Sequence, residues 1–292
     1  LRDEPKEIKI TQPDGVGFSV ERNKISWEGW DVRVSLTPDE GVVLHELSLD
    51  GRPILFRAAM SDMVVPYGSA DPMHSWKAVH DGTEYGFGRL SNSLSLGCDC
   101  LGEIHYFNAS GISFDGSVEV IENAICLHEE DYGIQWKHND GMGAPNEVRR
   151  SRRLVISSIS TIGNYDYGLF WYLYLDGTIE AEVKLTGIVG ISAYNEEKHN
   201  PNQDLRISKE LVSPVHQHLF CMRLDWNLDG GNNQLFESEI ELMPDDGNNS
   251  HGMQFQSVST HLKTEHEAQR DISPATSRVW KVVNPQKKNG MG

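Results

Sequence analysis

Short runs of apolar and β-branched residues recur along the chain, among them Lys24-Ile25-Ser26-Trp27, Val42-Val43-Leu44, Leu154-Val155-Ile156 and Val183-Lys184-Leu185. Each is bounded by Gly, Asp or Asn, and several alternate apolar with polar positions, which is the period of a strand with one buried face. The clearest element is an aromatic stretch over residues 167–175 that ends at Asp176-Gly177. Asp-Gly is a preferred two-residue hairpin turn, so the stretch is expected to pair with the apolar run that resumes over residues 178–185. Helical periodicity is nearly absent, and residues 264–270 (Thr-Glu-His-Glu-Ala-Gln-Arg) predict one short helix. Many strands with few helices between them imply an all-β fold, a large antiparallel β-sandwich. No repeat or low-complexity linker divides the chain, so residues 1–292 read as one domain.

Composition narrows the functional classes. With 292 residues, 38% hydrophobic and 24% charged, the chain reads as soluble and globular, with enough length for a sizeable core. No apolar run approaches a membrane span, and Leu1-Arg2-Asp3-Glu4 does not open a signal peptide. No targeting segment is read, the compartment stays open, and the missing initiator Met implies a processed chain or a fragment. The net charge of −17 repels phosphate backbones, which argues against a nucleic-acid partner and favours the approach of small cations such as protonated amines. Cys98 and Cys100 flank a single Asp, too tight for a zinc knuckle. With Cys126 and Cys221 they read as buried thiols, and a disulfide from one of the pair to Cys126 is left open.

Two segments carry candidate chemistry. In His216-Gln217-His218 the two histidines are two apart, so on a strand both imidazoles project from one face and converge on one metal. Pro214 just before them marks a strand start or an edge. Imidazole ligation suits copper or zinc, and two ligands leave a site incomplete. The second segment, Thr161-Ile162-Gly163-Asn164-Tyr165-Asp166-Tyr167, reads locally as a Gly-Asn turn between an apolar strand and the aromatic one.

The two segments together resemble the copper amine oxidase family. Leu154-Val155-Ile156, Thr161 and Asn164-Tyr165-Asp166-Tyr167 match the spacing of its cofactor signature. Met63-Val64-Val65-Pro66-Tyr67, Leu94 to Gly102 and His216-Gln217-His218-Leu219-Phe220 also look like family segments, in family order, so the resemblance spans essentially the whole chain.

The resemblance implies a primary-amine oxidase, in which an amine forms a Schiff base with a topaquinone made from Tyr165 and is released as an aldehyde, with dioxygen reduced to hydrogen peroxide and ammonia set free. It makes His216 and His218 copper ligands, Asp81 the catalytic base, Tyr67 a hydrogen-bond partner of the quinone, and Asn164 a packing neighbour of its ring. It joins Cys100 to Cys126, and it makes Asp225 and Trp226 part of a second, calcium-type site. A homodimer with crossing arms is also implied. In the family a third copper His lies further downstream and small domains precede the sandwich, so the chain is expected to be most of a catalytic sandwich, poor at holding copper and inactive by itself. Val79 stands where several relatives carry a bulky aromatic gate. The alternative is a non-catalytic relative, a structural or dimerising sandwich with an unmodified Tyr165.

Overall fold

Alternation of apolar and polar residues settles the strands of the first sheet. Its members are β1 (Ser19–Glu21), β2 (Lys24–Trp27), β3 (Trp30–Thr37), β4 (Gly41–Leu49), β5 (Arg52–Pro66) and the short β6 (Ala78–His80). In the computed structural model, which describes residues 3, 5–113, 115–141, 143, 145–245 and 247–291, β1 to β5 form an antiparallel meander and β6 pairs with the end of β5. Leu1, Arg2 and Glu4, read above for a leader, lie outside the described residues.

The second sheet runs β7 (His105–Ile112), β8 (Val118–His138), β9 (Glu147–Ile162), β10 (Tyr165–Tyr174) and β11 (Ile179–Gly187), each antiparallel to the next. A three-stranded sheet of β12 (Ser192–Ala193), β13 (Asp204–Arg206) and β14 (Leu211–Pro214) follows. The chain then returns as β15 (Leu219–Trp226) to the free side of β5, and β16 (Gln234–Leu242), β17 (Phe255–Leu262) and β18 (Val279–Val283) close a last small sheet.

The two large sheets face each other across one core. Ile25, Trp27, Trp30, Val34, Leu44 and Met63 of the first meet Ile125, Leu127, Ile156, Tyr167, Leu169 and Leu173 of the second. Burial of these side chains, each contributing about 1.5–3 kcal/mol relative to exposure, is what orders the sandwich. A buried carboxylate adds a polar staple: Glu129 of β8 accepts from the Gly17 amide (2.6 Å), Gln12 (2.6 Å) and the Trp27 indole (2.8 Å), tying the N-terminal segment across both sheets. Among the described residues no helix is long and apolar enough to cross a membrane.

Two local expectations differ from the outcome. Residues 264–270 make a single turn, with the Ala268 amide donating to the Thr264 carbonyl (3.1 Å), rather than a helix. A lone turn fixes several dihedrals for one hydrogen bond, and this segment has no apolar face to extend it. The Asp176-Gly177 hairpin forms, but through the three residues 175–177, with the Tyr174 amide donating to the Thr178 carbonyl and Gly177 at φ 88°. That is the turn-plus-left-handed-glycine loop, the next commonest hairpin closure after the two-residue one.

Leu44 is fully buried between the sheets. Leu44→Ala is expected to lower stability by about 2–5 kcal/mol, whereas Leu242→Ala, at an exposed hairpin end, is expected to change it by less than about 0.5 kcal/mol. Urea denaturation of the two variants against the parent checks the contrast.

Candidate active site

The end of the sandwich where β9 turns into β10 gathers the residues singled out in the sequence. Gly163 and Asn164 form the two-residue turn between Ile162 and Tyr165, with Gly163 at φ 63°. Positive φ at the first central position alone is the pattern of a type II′ turn, which matches the twist of the flanking strands. Tyr165 is therefore the first residue of β10, paired with Ile162 on one side and Gly187 on the other. Gly187 sits at φ 96°, and a Cβ there would lie 2.6 Å from the Asn164 carbonyl and 2.8 Å from the Tyr165 Cα. Only glycine lets β11 approach this closely.

His216 and His218 do not lie inside a strand, as expected, but in the extended link between β14 and β15. A single bridge between Tyr67 and His216, and a hydrogen bond from the Gln217 amide to the Pro66 carbonyl (3.2 Å), hold that link strand-like against the end of β5. The two imidazoles still turn the same way, with ring centroids 5.0 Å apart and both side chains half-buried. His216 Nδ1 lies 2.9 Å from the Pro214 carbonyl, an acceptor with no proton to give, so Nδ1 carries the proton and Nε2 offers its lone pair. That Nε2 faces the Tyr165 hydroxyl at 3.1 Å, and the Gly190 amide donates to the same hydroxyl at 3.0 Å.

Tyr67 ends the other wall. Its ring is sandwiched between His216 (4.8 Å, 11°) and the buried His74 (5.4 Å, 12°). Burial, with Tyr165 and the charge of Asp81 adding to it, raises the Tyr67 phenol well above its ordinary value, so it stays protonated. Tyr167, two residues after Tyr165 and on the same face of β10, is fully buried with its hydroxyl 3.2 Å from His218 Nδ1. Burial and Asp81 also push its phenol up, and burial and then His216 lower the His218 imidazole.

Asp81 opens a one-turn π-helix (Asp81–Gly86), an element that is rare and concentrated at functional sites. Partial burial, then the charges of Glu84 and Asp62, push its carboxyl up to about 6. The charge of Asp81 adds to burial in raising both Tyr67 and Tyr167. Such an arrangement supplies a carboxylate base near neutral pH, two phenol donors, and two imidazoles.

The remaining predicted residues are placed as follows. Asn164 is exposed and is held at Ile188, whose amide donates to the Asn164 carbonyl (2.7 Å) and whose carbonyl accepts from the Asn164 side-chain amide. Cys100 and Cys126 meet as thiols in a buried cluster with Leu94, while Cys98 and Cys221, read as buried, are exposed. Asp225 and Trp226 lie at the far end of β15, opposite Arg57 and Leu55 and about seven residues of strand from the His pair. Among the described residues no group of three or more His, Cys, Asp or Glu gathers to hold a metal, there or elsewhere.

The family model for the copper amine oxidase enzyme domain matches residues 19–292. The chain belongs to the copper amine oxidase family. A histamine oxidase of Arthrobacter globiformis is 47% identical over 300 aligned positions, which cover 100% of this chain and 43% of the relative. A primary amine oxidase of Arthrobacter sp. (strain P1) is 44% identical over 99% of the chain and 45% of its own length. Among solved structures, a copper-containing benzylamine oxidase from Hansenula polymorpha superposes with a TM-score of 0.91 at 31% identity, over 99% of the chain and 46% of that structure. The chain thus spans less than half the length of these relatives. It is an all-β, antiparallel copper amine oxidase sandwich.

Sequence reasoning missed Tyr167, Gly187, Gly190, His74 and Asp62. For Tyr167 the signal was available, since residues two apart on a strand share a face. The others reach the site by backbone approach or from a different element. At Gly187 a side chain has no room, so Gly187→Ala is expected to displace the Asn164–Tyr165 turn and cost about 1–3 kcal/mol. Thermal denaturation with near-ultraviolet circular dichroism of the tyrosines checks it; an unchanged midpoint and spectrum would contradict the tight approach.

Proposed function

We propose that the protein to which this chain belongs is a copper-dependent primary-amine oxidase that oxidises a primary amine to an aldehyde with release of ammonia and hydrogen peroxide. The observation that carries the reading is the Tyr165 hydroxyl held 3.1 Å from a His216 Nε2 whose lone pair points at it, with His218 beside it. Paired imidazoles are donors that copper favours, and the carbonyl that fixes His216 is the kind of outer partner that orients a metal-binding histidine. His216 and His218 would hold the copper; the metal and dioxygen would convert Tyr165 to a topaquinone, which supplies the electrophilic carbonyl and electron sink that no amino-acid side chain offers.

The chain's own residues do the rest. Asp81, as the carboxylate, takes the proton from the carbon next to the amine nitrogen. Its raised value near 6 makes it a better base than an ordinary aspartate while leaving it ionised at neutral pH. The protonated Tyr67 hydroxyl donates to an oxygen on the Tyr165 ring, fixing the ring's rotation, and Asn164 flanks it at the turn. Histamine and benzylamine, the substrates in two relatives' names, are both primary amines, and the acidic surface favours an amine cation. A homodimer belongs to the same reading; what supports it is the apolar side chains left open at hairpin ends, such as Ile112 and Val118, or Leu242 and Phe255. Cys100 and Cys126, already in contact, would form the disulfide on oxidation.

The test uses full-length protein expressed with copper in air. The peptide containing Tyr165 is expected to show the mass of a quinone and to react with phenylhydrazine; Tyr165→Phe removes both, and an unmodified Tyr165 in copper-loaded protein would overturn the reading. Asp81→Asn is expected to lower the amine-oxidation rate by about 10²–10⁴-fold. Because the base must be ionised, kcat/KM is expected to fall roughly tenfold per pH unit below about 6 and to level off above it.

A further inference from the structure

The carboxylate of Asp62, near the end of β5, is used by nothing in the chemistry above, yet it touches the chain on both sides of Asp81. Its Oδ1 accepts from the Thr83 amide (3.2 Å) and from the Met63 amide (2.8 Å), and its Oδ2 lies 2.7 Å from His80 Nδ1. Between these contacts, Gly82 packs so closely that a Cβ would lie 2.7 Å from Asp62 Oδ1 and 3.0 Å from its Cα. Asp62 therefore grips residues 80, 82 and 83, the neighbours of Asp81 in the chain. The far end of the turn is held separately, by the Phe87 amide on the Asp39 carbonyl (3.0 Å) and the Gly88 amide on the Pro38 carbonyl (3.0 Å).

We propose that Asp62 is the positioning residue for Asp81: it locks the π-helical turn that carries the base onto β5 and faces that base with a second negative charge. The proposal rests on the reading of Asp81 as base for its consequence in catalysis, but not for the placement itself. The groups that act on Asp81 or feel its charge are Asp62 of β5, Glu84 of its own turn, and the phenols of Tyr67, just after β5, and Tyr167 of β10; His80 precedes it in the chain. Both phenols are held protonated, so the two carboxylates are the charges that oppose its ionisation. Burial works against ionisation of Asp62 too, but the His80, Met63 and Thr83 hydrogen bonds win and hold it below the usual carboxylate range. Its charge is thus present whenever Asp81 titrates.

The hydrogen bond to Asp62 raises the exposed His80 imidazole above its ordinary value, so His80 is a cation while Asp81 titrates and offsets part of the Asp62 charge throughout.

The experiment separates grip from charge in full-length protein, using Asp62→Asn, Asp62→Ala and Glu84→Gln. Asparagine keeps the Oδ1 acceptor and loses the charge; alanine loses both. Without any amine present, infrared difference spectra against Asp81→Asn follow the protonated carboxyl band of Asp81 through pH. Its midpoint is expected near about 6 in the parent and lower by about half a unit or more in Asp62→Asn and Glu84→Gln. Hydrogen exchange of the Thr83 amide is expected to stay protected in Asp62→Asn and Glu84→Gln and to speed up by roughly tenfold or more in Asp62→Ala. In turnover, Asp62→Asn shifts the acid limb of kcat/KM by the same amount as the infrared midpoint and keeps kcat on the alkaline plateau, while Asp62→Ala loses kcat there. An Asp81 midpoint that Asp62→Asn does not move, or Thr83 protection that survives Asp62→Ala, overturns the proposal. A parent protein that oxidises no amine while the infrared and exchange shifts appear would sink the functional reading and leave the placement standing.

Discussion

The site depends on one constraint, the immobilisation of the Tyr165 ring at the point where a strand begins. Backbone pairing to Ile162 and Gly187 fixes its Cα from both sides. His216 Nε2 and the Gly190 amide then fix its hydroxyl. A strand start holds a ring more firmly than a mobile loop would, and a displacement of about 1 Å can cost a reacting group orders of magnitude in rate. The type II′ turn at Gly163-Asn164 and the glycine at 187 follow from that demand: both allow three strands to converge on a tyrosine that stays half-buried and not sealed into the core.

The electrostatics of the pocket follow from the same crowding. Tyr67 and Tyr167 are largely withdrawn from water and feel the charge of Asp81, so ionising either phenol would be opposed both by burial and by that carboxylate. They stay protonated hydrogen-bond donors, while Asp81 is pushed up to about 6. Stacking between two imidazoles fixes the Tyr67 ring further, with the Lys77 ammonium 5.2 Å from its centroid and 3.2 Å from His74 Nδ1.

Much of this was legible in the residues because strands write a two-residue period into sequence. β2 and the apolar centres of β4, β9 and β11 stood where the runs of apolar residues were read, and the His-x-His spacing announced two rings on one side even though they sit in a link between strands. What escaped had no local signature. The π-helical turn at Asp81–Gly86 has a sequence, Asp-Gly-Thr-Glu-Tyr-Gly, that reads as an ordinary loop, since a wide turn is imposed by what grips its ends. Asp62 lies in a run of strand residues where a lone polar position looks like a solvent-facing one, and its partners are a histidine 18 positions away and two backbone amides. The segment at 264–270 misled for the opposite reason: its composition suits a helix, but nothing apolar packs it against the domain. Cys100 and Cys126 come together, yet sequence alone could not say whether two buried thiols would be joined.

The strand that carries the least obvious residue also sets the scale of the site. β5 holds Asp62 near its end and Tyr67 directly follows it, so the grip on the Asp81 turn and the phenol stacked on His216 are indexed along one backbone. β4 and β6 pair with parts of β5, β15 pairs along it through a bulge at Cys221/Met222 opposite Asp62, and Tyr67 bridges to His216 just beyond. A slip of one residue in β5 would turn Asp62 away from the π-helical turn and Tyr67 away from Tyr165 together, because neighbouring strand residues face opposite sides. The Asp81 turn, Tyr67 and His216 are therefore not three independent placements. They share one register, and the hydrophobic contacts of Met60, Met63 and Val65 in the core are what hold that register in place.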